Sequence, residues 1–192
     1  MSIATRFPLP VDERAIRALI KRLKEINQKN GYYVDVTQVR RLFAPMQIEQ
    51  IRNPSEIHVL SGHVMEGGRP LAEFIYRRSA AFQLWLGVPV TILFYAKVPS
   101  PLNPDLVYRV FRSEILRAVL QAPIVDENNK EYPVQVGPGP FEDEGRPVIA
   151  QPMYYGENQD WSAGYIELVL LTTFSESSPY LVDAGDTQIF GP

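Results

Sequence analysis

The sequence contains no cysteine and two histidines, His58 and His63, in 192 residues. Without cysteine, the chain forms no disulfide and offers neither a thiolate metal site nor a cysteine nucleophile. The two histidines are not at the three- or four-residue spacing that places two metal ligands on one helical face. No serine lies in a nucleophile-elbow motif. We therefore expect no metal site, no cofactor and no enzymatic activity.

Excess charge and long apolar runs are also missing. Nineteen Lys and Arg residues stand against 22 Asp and Glu residues, for a net charge of −3, which argues against non-specific nucleic-acid binding by the whole surface. No run of about 18 apolar residues occurs, and the first residues lack a signal-peptide core, so we expect neither a membrane-spanning helix nor classical export. The 17 prolines are nearly double the usual ~5 % and indicate a globular protein with stiff loops.

Two segments have helical periodicity. Residues 12–30 repeat apolar side chains at spacings of three and four, and Asp12 and Gly31 are the predicted N-cap and stop. The second helix begins with Asn103 as N-cap, then Pro104 and an acid in its first turn, and ends before residue 123. Its predicted apolar stripe comprises Leu106, Val107, Val110, Phe111, Ile115, Val119 and Leu120.

Strands are predicted at residues 32–37, 57–60, 71–78, 80–98 and 165–174, with a loop over 43–54. For residues 71–78 a short helix is the alternative. Gly87 and Pro89 interrupt the fourth, where we expect a bulge, a hairpin or an edge position. The last strand is apolar on both parities and is predicted to be central. Because strands and helices do not alternate regularly, the predicted fold class is α+β, with a mixed, mostly antiparallel sheet flanked by two main helices.

The segment from about 123 to 163 is the compositional outlier. Residues 124–136 predict a hairpin about a turn at 126–130. A long loop rich in Pro, Gly, acids and aromatics follows from residue 137, and loops of this length are usually functional or disordered. We interpret residues 1–192 as one domain that carries this Pro/Gly-rich insertion.

Candidate interface residues fall into three groups. The first helix has a basic face, the long loop has an acidic run of opposite charge, and aromatic residues that could anchor an interface follow. A solvated helix face and packed aromatics are the simpler alternatives for these groups. The candidates are Arg14, Arg17, Lys21 and Arg22; Glu142, Asp143 and Glu144; and Tyr154, Tyr155 and Trp161.

The order of these segments resembles the tail-terminator and minor-tail (tail-completion) proteins of tailed bacteriophages. The resemblance rests on the first helix, Gly-Tyr-Tyr-Val-Asp-Val at residues 31–36, Pro-Val-Thr-Ile-Leu-Phe-Tyr-Ala at 89–96, the helix that begins at Asn103, and the apolar strand at 167–174 before Ser-Pro-Tyr at 178–180. It covers about residues 12–122 and 164–182. The insertion lies outside it.

The resemblance implies a sheet with helices on one side and a structural, non-enzymatic role. The expected assembly is a homohexameric ring that caps the tail tube, stops its polymerisation and presents a docking surface to a neck or head-completion protein. DNA would pass through the lumen without sequence-specific binding. The expected location is the virion tail at the head–tail junction, and the host cytoplasm during assembly. The alternatives are a non-enzymatic binding module or a neck or head-completion protein with a different partner.

Overall fold

The computed structural model describes residues 9–42, 46–61, 74–77, 83–136, 153–155 and 160–175. They form two α-helices and nine strands. In chain order these are α1 Val11–Lys24, β1 Gln38–Leu42, β2 Ser55–Ser61, β3 Phe74–Arg77, β4 Gln83–Lys97, α2 Pro104–Leu120, β5 Ile124–Val125, β6 Glu131–Tyr132, β7 Val134–Val136, β8 Met153–Tyr155 and β9 Trp161–Ser175.

Seven of the nine described strands form one sheet, whose main path runs β1-β2-β4-β9-β7, and β5 and β6 form a separate two-stranded sheet. Strand β3 also pairs with β4, and β8 with β9. Only the β1–β2 pair is parallel, and the other pairs are antiparallel. The predicted α+β class with a mixed, mostly antiparallel sheet is confirmed.

Helix α1 begins and ends differently from the prediction. Its N-cap is Pro10, in an extended conformation, and no side chain caps it, so Asp12 is a first-turn acid instead. The helix ends at Lys24, well before the predicted limit. A separate 3-10 turn at Gln28–Asn30 follows, and Gly31, at φ 81°, ends that turn. The left-handed backbone there favours glycine.

The predicted strand at residues 32–37 is wrong, because the strand begins only at Gln38. The backbone N–H of Val36 donates to the Ile26 carbonyl at 2.9 Å, and that of Thr37 to the Ser55 carbonyl at 3.1 Å. The alternating valines still pack against the core. Their period-two pattern reflects burial, while the backbone ties the end of α1 to the start of β2.

Helix α2 begins as predicted. Asn103 lies in extended backbone, and its side chain accepts a hydrogen bond from the Asp105 N–H at 2.8 Å. The predicted stripe is wrong at both ends, since Leu106 and Leu120 are 50 % and 52 % exposed. The residues that α2 buries are Tyr108, Phe111, Glu114, Ile115, Ala118 and Val119.

Strand β4 runs without a bulge, and its fifteen residues pair one to one with β9. The bulge and the hairpin expected at Pro89 are therefore wrong, whereas the edge position fits. On the opposite side of β4, β3 pairs only as far as Gly87 and β2 begins at Val90. Among the described residues, Pro89 thus falls in a gap between two ladders, where its missing N–H costs no hydrogen bond.

The two faces of the sheet bury different side chains. One face carries Val88, Val90, Ile92, Phe94 and Ala96 of β4, and it packs with residues of both helices in a single cluster. The other carries a smaller cluster, which includes Ile51, Leu60, Leu93, Tyr95 and Ala163. Strand β9 lies between β4 and β7 and is buried on both parities, as predicted for a central strand.

The remaining predictions concern loops and short strands. A strand within 71–78 is confirmed by β3, and the loop over 43–54 holds a 3-10 turn at Ile48–Gln50. The hairpin over 124–136 is confirmed by the β5–β6 pair. Its turn is held by Asp126, whose Oδ1 accepts from the N–H groups of Asn128 and Lys130. Most of the long loop and the chain after residue 175 lie outside the described residues.

Candidate interface site

The basic face of α1 is narrower than its sequence indicates. The Arg17 side chain is 61 % exposed, and Lys21 is also exposed. Arg22 is half-buried and donates from Nη2 to the Pro123 carbonyl at 2.8 Å, which ties α1 to the start of β5. Arg14 is 7 % exposed, so its expected place on a solvated face is wrong. Arg17 and Lys21 are therefore the two candidates that α1 presents to solvent.

Glu13 links this face to the edge of the sheet. Its carboxylate accepts from Arg17 Nε at 2.8 Å and also pairs with Arg41 of β1. Partial burial raises the pKa of Glu13, but the hydrogen bonds and charges of Arg17 and Arg41 outweigh it and hold the pKa below its usual value. Because Arg17 already has a carboxylate partner, Lys21 carries the less compensated charge.

The aromatic candidates are held by contacts within the chain. Tyr154 of β8 donates from its hydroxyl to Asp105 Oδ1 at 3.0 Å, and Arg109 Nε donates to Asp105 Oδ2 at 2.6 Å. The Arg109 contact holds the pKa of Asp105 below its usual value, whereas burial and the Asp105 carboxylate raise that of Tyr154. Tyr154 thus connects β8 to the first turn of α2, which fixes its ring.

The structure describes only some of the remaining candidate interface residues. Trp161 is half-buried and packs against the smaller cluster on the face of the sheet away from the helices. Tyr155 belongs to β8, but its side chain is outside the described part of the structure. The acidic run Glu142, Asp143 and Glu144 lies outside the described residues altogether. The acidic group of candidates therefore stays a prediction.

A buried polar cluster on β1 and β2 was missed by the sequence analysis. Glu56 and His58 are 0 % exposed and lie two residues apart on one strand, so both side chains point away from the helices. His58 Nε2 lies 3.0 Å from Glu56 Oε2, and since an ionised carboxylate only accepts, the histidine donates. Arg40 Nε lies 3.3 Å from the same oxygen, as an ion pair without hydrogen-bond alignment.

The second oxygen of Glu56 organises the turn before β2. Its Oε1 accepts from the Arg52 and Asn53 N–H groups at 3.1 and 2.9 Å, and from Asn53 Nδ2 at 2.7 Å. Burial raises the pKa of Glu56, but the hydrogen bonds from His58, Asn53 and Arg52 outweigh it and lower the pKa to about 2. The cluster therefore stabilises one ionised carboxylate that joins β1, β2 and the preceding turn.

The sequence carried one signal for this cluster, an acid and a histidine in alternation inside a short apolar strand. Among the described residues, His58 Nδ1 has no hydrogen-bond partner, and the ring stands 5.1 Å from that of Tyr95. No group of three or more potential metal ligands occurs in the described ranges. Nor does either described helix have the length and apolarity that crossing a membrane requires.

Comparisons with known proteins give similarity in structure but not in sequence. No family model and no curated protein sequence matches the chain. Among solved structures, the chain is similar to the PVC sheath/tube terminator of an extracellular contractile injection system in its extended state, determined by cryo-EM. The TM-score is 0.35 and the identity 15 %, over 88 % of this chain and 61 % of that one. The chain thus spans about three fifths of the length of that protein.

Proposed function

We propose that this chain is a structural subunit of a phage tail, a tail terminator that closes into a homohexameric ring on the end of the tail tube. The ring stops tube polymerisation and presents a docking surface to a neck or head-completion protein. Its lumen lets DNA pass without sequence-specific contacts. The protein is then a virion component, assembled in the host cytoplasm, and performs no catalysis.

One observation carries the proposal. Both helices pack on the same face of a mixed sheet, in a single cluster with β2, β4 and β9, which is the architecture that the sequence resemblance implies. The elements on which the resemblance rests follow in the expected order, from α1 through β4 and α2 to β9. The buried carboxylate of Glu56 pairs with the half-buried Arg40 and accepts hydrogen bonds from the preceding turn, an arrangement that supports a structural role.

A ring requires two different surfaces of one chain to fit each other, because neighbouring subunits meet head to tail. We propose that Arg17 and Lys21 of α1 supply one surface, and that the acidic run at Glu142, Asp143 and Glu144 of the adjacent subunit supplies the other. Opposite charge motivates this pairing. Residues 123–163 would then serve the subunit contact.

Charge reversal tests the pairing. The variant Arg17→Glu with Lys21→Glu is expected to shift sedimentation from ring to monomer, since two charges reverse sign at each subunit contact. The matched control is Lys29→Glu with Lys97→Glu, two exposed lysines away from the outer face of α1, and it is expected to leave the ring intact. A ring that survives the α1 reversal would overturn the pairing.

A further inference from the structure

The turn that follows α1 carries the only Asn-Gly pair of the sequence, Asn30 and Gly31. Asparagine is among the chemically labile side chains, and a following glycine favours its deamidation, because no Cβ obstructs the backbone nitrogen that attacks the side-chain amide. Both residues are exposed. Apart from the adjoining residues, no described part of the chain lies within 4 Å of the position that a Cβ on Gly31 would occupy. Water therefore has access to the pair.

Deamidation at this pair would need only water as a co-reactant. The Gly31 nitrogen forms a bond with Asn30 Cγ, the Cγ–Nδ2 bond breaks, and the proton of the Gly31 nitrogen leaves with Nδ2 as ammonia. The product is a cyclic succinimide. Water then adds to one of its two carbonyl carbons and opens the ring, which leaves aspartate or isoaspartate at position 30.

Hydrogen bonds of the closed turn occupy the reacting groups. The Gly31 N–H donates to the Gln28 carbonyl at 3.0 Å. Because the nitrogen attacks only after it gives up this proton, that bond must break first. The leaving group is engaged as well, since Asn30 Nδ2 donates to the Glu25 carbonyl at 2.7 Å. The turn therefore has to open before the succinimide forms.

Helix α2 holds this turn closed. Arg117 Nη2 donates to the Gly31 carbonyl at 2.6 Å, and the Arg117 guanidinium lies 4.3 Å from the centre of the Tyr32 ring. Glu114 fixes the next residue, because its Oε2 accepts from the Tyr33 N–H at 2.9 Å, and it pairs with Arg117 at 3.3 Å. Exposed turns open locally more often than the core does, and here opening also breaks contacts with α2.

We propose that Asn30 is a site of spontaneous deamidation, and that Arg117 sets its rate by holding the turn closed. The product side chain is a carboxylate, which accepts hydrogen bonds but does not donate them. It therefore loses the bond to the Glu25 carbonyl and faces that oxygen with a negative charge, which loosens the turn after α1. The proposal is independent of the ring, because neither the Arg17 surface nor the acidic run takes part.

Mass spectrometry of peptides from the full chain measures the rate of conversion. The chain is incubated in mildly alkaline buffer, where loss of the Gly31 amide proton is favoured. In the native chain, Asn30 is expected to convert faster than Asn129, which is exposed but is followed by lysine. In urea, where the turn is not formed, Asn30 is expected to convert severalfold faster still.

The substitution Arg117→Gln tests the restraint. It is expected to raise the native rate at Asn30 severalfold and to leave the rate at Asn129 unchanged. The matched control is Arg109→Gln, which removes the same charge from an exposed residue of the same helix that pairs with Asp105. This control is expected to leave both rates unchanged, and circular dichroism in urea compares the stability of the two variants.

Three results would overturn the proposal. One is a native rate at Asn30 no higher than that at Asn129. Another is the same rate at Asn30 in the native chain and in urea, which would show that the turn gives no protection. The third is an Arg117→Gln rate equal to that of wild type, or one that rises in parallel with the rate at Asn129, as unfolding of the whole chain would cause.

Discussion

Replacing Glu56 by Gln tests the physical account of the buried polar cluster. In the folded chain the pKa of Glu56 lies at about 2, against an ordinary value of 4.5. At about 1.4 kcal/mol per pH unit, this difference contributes roughly 3 kcal/mol to the free energy of unfolding at neutral pH. Because the folded pKa is the lower one, that contribution is complete above about pH 4.5 and is lost as the pH falls towards 2.

The expected result for Glu56→Gln is a free energy of unfolding lower by about 3 kcal/mol at pH 7. The difference from wild type is expected to shrink below about pH 4.5, where the wild-type carboxyl takes up its proton. Urea denaturation followed by circular dichroism across this pH range measures both quantities, with Glu127→Gln as the control for loss of an exposed carboxylate. Parallel wild-type and Glu56→Gln curves down to about pH 3 would refute the reasoning.

Two further substitutions test the packing. Gly164→Ala places a Cβ 2.5 Å from Tyr108 Cε2 and 2.7 Å from Phe94 Cζ, so it is expected to lower the free energy of unfolding by about 1–3 kcal/mol, and wild-type stability in urea would contradict the close approach of β9 to α2. Asn103→Ala removes the cap on the Asp105 N–H and is expected to cost about 1 kcal/mol, whereas Asn103→Asp keeps the acceptor. Equal loss in both variants would show that the cap is unimportant.

The sequence predicted correctly those helices and strands that depend on residues close to one another in the chain. The Asn103 cap fixed the start of α2, and the single parity of Val88, Val90 and Ile92 identified the side chains of β4 that pack in one cluster with the helices. The sequence could not decide between a bulge, a hairpin and an edge position at Gly87 and Pro89, because the choice depends on where β2 and β3 end. Sequence pattern alone does not reveal which ladder a strand residue faces.

The misplaced and missed features depend on contacts distant in sequence. Val34 and Val36 alternate like a strand, yet the backbone of Val36 bonds to the end of α1. Arg14 looked solvated because helix α1 alone does not show what covers it. Glu56 is stabilised by groups from the preceding turn and from β1, so the sequence of β2 alone does not predict a buried, ionised carboxylate.

Native mass spectrometry of the purified chain at several concentrations, with negative-stain images of the same samples, tests the central claim most directly. The account predicts a hexamer that appears as an annular particle. A chain that stays monomeric at every concentration and forms no annular particles would contradict the ring and favour a non-enzymatic binding module.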